Sequence, residues 1–140
     1  MENPSYLCVL MLKREHIDYW IQQSNDDWEA VSALFKNKKN SQALFFAHLV
    51  IEKLCKAIWI RDNESNFPPR THNLNYLLSQ TTIEMSDSHG ELLLTLNRFQ
   101  LEGRYPEYIS KIHKICTDSF TAELINNVNE MRLWLIRQLQ

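Results

Sequence analysis

Glycine and proline are scarce: two and four in 140 residues. An all-β architecture needs many tight turns, and turns draw on those residues. Their shortage excludes a strand-rich fold and leaves a few long elements, which fits helices. Cysteine is scarce too. Cys8, Cys55 and Cys116 lie far apart, with no CxxC pair. An odd number at such spacings argues against a disulfide scaffold or a zinc site and suits a reducing cytoplasm. Two of the three fall within helical patterns and read as small core residues. No apolar run approaches the ~20 residues that span a membrane. Fifteen Lys and Arg stand against seventeen Asp and Glu, a formal charge of -2. That balance excludes a strongly basic nucleic-acid binder while leaving room for a local basic patch.

Most catalytic signatures are missing as well. There is no P-loop, GxGxxG, GxSxG or HExxH. The two glycines are not clustered, so no glycine loop cradles a phosphate. His16, His48, His72, His89 and His113 show no metal-ligand spacing with one another, and no Glu-x-x-His pair occurs. Neither a metal nor a cofactor is expected.

What is present is one domain's worth of apolar patterning, 44% apolar and 23% charged. Its centre is Ser41 to Trp59, a helix apolar on most faces with a narrow polar stripe of His48, Glu52, Lys53 and Lys56. Such a helix belongs in the middle of a bundle. Before it, residues 13–36 place Ile17, Ile21, Ser24, Trp28, Val31 and Phe35 on one face. Tyr19, Trp20 and Leu34 widen that face, and Asp26, Asp27 and Glu29 fall on a solvated one. The turn Lys36–Asn40 is short, so the two helices form an antiparallel hairpin, with Asn40 as the second helix's N-cap. Ahead of residue 13 lies a short apolar run, Tyr6 to Leu12. It has neither a basic leader nor a cleavage site, so a signal peptide is rejected. Met11 directly precedes the first amphipathic helix. Met1 and Met11 are both candidate starts of translation; a start at Met11 would make residues 1–10 an artefact or a loose arm, and the expected organisation is an N-terminal arm over 1–12 ahead of a single domain over 13–140.

The second helix runs to about Asp62. Pro68 and Pro69 then impose an extended segment. Thr71 is the expected cap of a short helix from His72 to about Gln80, with Leu74, Leu77 and Leu78 inward. His72 would then sit in the first turn, where the dipole disfavours imidazolium. Ser88 and Glu91 fit a capping box opening a helix to about Leu101. Gly103 ends it, Arg104 to Tyr108 reads as a rigid non-helical piece, and 109–116 as a loop or short turn. Asp118 caps the last helix, whose inner face runs from Phe120 to Leu139. Met131, Leu133 and Trp134 offer surface for a second subunit. The fold class is all-α, an up-and-down bundle of four to five helices.

One polar constellation could carry chemistry: Glu52, Lys53, Lys56, His72 and Arg104-Tyr105. Arg forks onto phosphate oxygens and Tyr stacks on bases, so the group could hold a phosphate or nucleotide. Equally, Glu52 could bond Lys56 or Arg104 and merely hold loops. The same residues, in order, are Trp20…Trp28-x-Ala30, Ala43-x-Phe45-x-Ala47, Ile51-Glu52-Lys53-x-x-Lys56-Ala57, Pro69-x-Thr71-His72-Asn73-Leu74 and Arg104-Tyr105-Pro106. This set resembles the HEPN domain, the "higher eukaryotes and prokaryotes nucleotide-binding" family, over about residues 14–140. The resemblance implies a five-helix bundle, often a homodimer, frequently paired with a minimal nucleotidyltransferase in toxin–antitoxin-like modules. Many members are metal-independent ribonucleases with an Arg followed four to six residues later by His. Here Arg104 precedes His113 by more than that, and no such spacing exists. The reading is therefore a cytoplasmic nucleotide- or RNA-binding module with ligand contacts at Glu52, Lys53, Lys56, His72, Arg104 and Tyr105. A degenerate ribonuclease using Arg104 with His113 or His72, and a purely structural dimerising scaffold, are the alternatives.

Overall fold

The structure is a computed structural model that describes residues 4–140, with side chains from Leu12 onward. The described residues form six helices and no strand, the all-α bundle that the composition implies. In order they are α1 (Pro4–Lys36), α2 (Asn40–Asp62), α3 (Leu74–Ser79), α4 (Asp87–Asn97), α5 (Pro106–Ile115) and α6 (Asp118–Gln138). The helix added to expectation is α5. Pro106 occupies its first turn, where a missing N–H costs nothing and the fixed φ already suits a helix. It opens an element whose span reads from sequence as the end of a rigid non-helical piece, Arg104 to Tyr108, followed by a loop or short helical turn over 109–116.

α2 is the axis of the bundle and touches every other helix. Its length is apolar nearly all round, so Leu44, Ala47, Ile51, Leu54, Cys55, Ile58 and Ile60 are fully buried. Burial of this order, about 1.5–3 kcal/mol per large apolar side chain, dominates the stability of the bundle. α1 packs antiparallel to α2 through Ile17 and Val31. Ser24 sits on that face because its hydroxyl donates to the Val50 carbonyl at 3.0 Å. Lys13 reaches the open carbonyls at the end of α2, donating to Ile60 O and Asn63 O at 2.6 Å each. A cation at a helix C-terminus complements the dipole there. The hairpin turns through Lys38 in a left-handed conformation, φ 62°.

Several expected boundaries move. α1 already runs from Pro4, ahead of residue 13. The expected arm and the start at Met11 concern residues whose side chains lie outside those described. Tyr19 is exposed rather than widening the buried face. Asn40 is the first residue of α2, not its cap, and its amide reaches across to Cys116 O and Asp118 Oδ1. Asn73, not Thr71, caps α3 by accepting from the Tyr76 amide. α4 is capped by Ser86 in a reciprocal box with His89, two residues ahead of Ser88, and ends at Asn97 rather than near Leu101. Thr117 caps α6, leaving Asp118 in its first turn. Gly103 does turn the chain after α4, with φ +74°.

Candidate functional site

Glu52, Lys56 and His48 lie four residues apart on α2 and so share one face of it. The residue that completes the group comes from the Pro-Pro segment. The two prolines hold that segment extended, and the Asn73 cap delays the start of α3, so His72 stays outside the helix. Its ring then turns onto α2. His72 Nδ1–H donates to Glu52 Oε1 at 2.7 Å, and Lys56 Nζ donates to Glu52 Oε2 at 3.1 Å. Glu52 is only 3% exposed, so both donors offset the cost of desolvating its carboxylate. Lys56 also lies over the Trp20 ring, 5.2 Å from its centroid. His72 is half-exposed, and its Nε2 faces outward, 3.8 Å from Glu102 Oε2.

His48 is the buried member of the cluster. Its Nε2–H donates to the His72 carbonyl at 3.0 Å, which leaves Nδ1 without a partner, 3.9 Å from Glu52 Oε1. Burial pulls the His48 pKa below its ordinary value, and the nearby Glu52 carboxylate only partly opposes this. Two side chains of α2 therefore clasp the loop, one through its ring and one through its backbone. Lys53 points elsewhere and pairs with Asp27 of α1 at 2.5 Å.

A second surface, a mainly apolar groove with cationic residues among its lining, lies against α5. Arg98, Lys111 and Lys114 line one open groove of about 410 Å³ with Tyr108, Ile112 and Ile115. Tyr108 Oη donates to the Arg98 carbonyl, which ties α5 to the end of α4. The Arg104 guanidinium lies over the Tyr108 ring, 4.3 Å from its centroid, while Nε donates to Gln100 O at 3.3 Å. Tyr105 is 80% exposed beside it. Four cations thus share the surface of a short helix and its approach.

α2 and the Pro-Pro loop bring Glu52, Lys56 and His72 together, while Arg104 and Tyr105 stand apart at the opening of α5. A family model described as HEPN domain matches residues 17–139. The chain belongs to the HEPN domain family. No curated protein and no solved structure matches it.

Within this HEPN domain the residues singled out from sequence fall into two groups. Glu52, Lys56 and His72 come together, joined by His48. Arg104 and Tyr105 lie on the α5 surface, and the residue of their loop that approaches His72 is Glu102. His113 sits in the last turn of α5, where its Nδ1 and the buried Ser41 hydroxyl are 2.5 Å apart. Arg104 precedes that helix and His113 ends it, so on the order of 10 Å of helix separates them. Among the described residues no group of three or more His, Cys, Asp or Glu is placed to hold a metal ion. No helix among them is long and apolar enough to cross a membrane. Sequence reasoning missed Arg98, Lys111 and Lys114. The available signal was Pro106 as a helix opener, which puts Lys111 and Lys114 three apart on one helical face.

Proposed function

We propose that this HEPN domain binds the phosphate of a nucleotide or an RNA strand and does not cleave it. The observation carrying this reading is the groove of Arg98, Lys111 and Lys114 beside the Arg104–Tyr108 stack. Lys53 and Lys56 are already engaged by Asp27 and Glu52, whereas Arg98, Lys111 and Lys114 have no ion pair among the described residues. Exposed Tyr105 would stack on a base, and stacking on an aromatic is worth about 1–3 kcal/mol per base. Glu52, His72 and Lys56 act in this reading by fixing the loop at the edge of the site. As the family resemblance implies, the domain would work as a cytoplasmic homodimer with a minimal nucleotidyltransferase partner in a toxin–antitoxin-like pair.

Fluorescence anisotropy with a labelled single-stranded oligoribonucleotide, alongside calorimetry with ATP, tests the proposal. Changing Arg98, Lys111 and Lys114 together to Gln should weaken binding at least about tenfold and reduce the salt dependence, by roughly 0.7 in log–log slope per lost contact. Unchanged affinity in that variant, or no binding by the wild type, sinks it.

One observation favours a second reading. The His72 ring is oriented by a buried carboxylate and presents Nε2 outward, the arrangement of a general acid or base. RNA cleavage that persists in chelator and disappears in His72→Ala would make the protein a metal-independent ribonuclease.

A further inference from the structure

A groove of about 630 Å³ opens between α4 and α6, a volume typical of ligand sites. Leu92, Phe120 and Trp134 form its apolar floor, with the His89 ring 4.3 Å from Trp134. Glu91, Glu123 and Glu130 line its edges, and Arg137 is the one Lys or Arg among its lining residues. Phe120, Glu123, Glu130, Trp134 and Arg137 recur at helical spacing, so a single face of α6 supplies both floor and rim. Glu123 and Glu130 stand two turns apart on that face, roughly 10 Å along the axis.

We propose that this groove is a docking site for a basic amphipathic helix of a partner protein. An apolar floor between two helices accepts side chains at i, i+3, i+4 and i+7 of a third helix. The carboxylates select its flanks: lysines or arginines two turns apart would face Glu123 and Glu130, with a third opposite Glu91. The charge pattern argues against two other occupants. A nucleotide or RNA would bring phosphate against three carboxylates, so this surface is separate from the α5 groove. A second copy in a two-fold contact would set the same patch against itself, and the carboxylates of the two chains would repel.

The probe is a fluorescein-labelled synthetic helix with leucines at i, i+3, i+4 and i+7 and lysines on both flanks. Its twin carries glutamates in place of the lysines. Anisotropy should show saturable binding of the lysine helix and none of the twin. Glu123→Lys combined with Glu130→Lys, both at exposed positions, should weaken binding at least about tenfold. The milder pair Glu123→Gln and Glu130→Gln gives the same direction should the charge reversal disturb folding. Trp134→Ala should weaken binding without restoring the twin. Equal binding of both helices, no binding to the wild type, or unaltered affinity in the Gln pair would overturn the proposal. So would light scattering that shows a wild-type dimer dissociated by the Gln pair, since the groove would then be a seam between copies.

Discussion

Removing the Glu52 carboxylate leaves two donors without their acceptor. Lys56, whose side chain is 11% exposed, keeps only the face of Trp20, and His72 Nδ1 loses its partner. Breaking a buried pair from one side costs more than replacing the whole pair, because an uncompensated charge stays behind. Glu52→Ala should therefore destabilise the domain by about 3 kcal/mol in denaturant melts. Adding Lys56→Met should recover part of that loss, since an apolar side chain of similar length then fills the site. A cost below about 0.5 kcal/mol for Glu52→Ala would mean that the cluster does not hold the fold. The sequence made the members of this cluster legible, but not their contacts. The four-residue spacing puts His48, Glu52 and Lys56 on one stripe, while the approach of His72 depends on where α3 starts. Lys53 belonged to the same reading, but its partner Asp27 was expected on a solvated face. The rotation of α1 against α2 decides that contact, and local pattern does not encode it.

At the scale of elements, the long apolar periodicities locate the interiors of α1, α2 and α6, whereas helix ends depend on competition among neighbouring caps. Around α4 two serines compete. Sequence favours Ser88, followed by a glutamate three residues on. The Ser86 hydroxyl is the one that accepts from the His89 amide, and the His89 ring answers from the other side. Both boxes satisfy open backbone donors, and the observed one starts the helix a half-turn earlier, with Asp87 in its first turn. Ser88 Oγ only meets Ser86 Oγ, at 3.1 Å and in the open. Ser86→Ala should cost about 1 kcal/mol and Ser88→Ala a few tenths, read from the shift in melting temperature. The reverse order would put the cap back at Ser88. The same kind of competition hid α5. Arg104-Tyr105-Pro106 reads as a break, although Tyr108, Ile109, Ile112 and Ile115 recur at helical spacing after it, and α5 buries only Ile112 within its span.

The stability of the whole domain should fall towards acid in two separate windows. Buried His48 has its pKa held below the ordinary 6.5, chiefly by desolvation. Below pH 6.5 the unfolded chain binds a proton there that the folded chain refuses. Stability is therefore lost as pH falls from that point, by at most about 1.4 kcal/mol per pH unit for one group. Asp62 acts lower. The guanidinium of Arg61, together with donors from Thr82, holds its carboxyl at about 2 instead of 3.8. Its contribution is complete above pH 3.8 and disappears as pH falls towards 2, on the order of 1 kcal/mol once screening is allowed for. Asp62 joins the end of α2 to the segment after α3, and His48 joins the middle of α2 to the segment before it. Both windows thus report on how the central helix grips its loops. His48→Gln retains an amide donor for the His72 carbonyl and cannot titrate, so it should flatten the curve between pH 7 and 5 and leave the lower window alone. Asp62→Asn should do the opposite. Melting temperatures recorded from pH 8 to 3 on the three proteins separate the windows. A His48→Gln curve parallel to wild type above pH 5 would show that the buried imidazole is not what couples this bundle to pH.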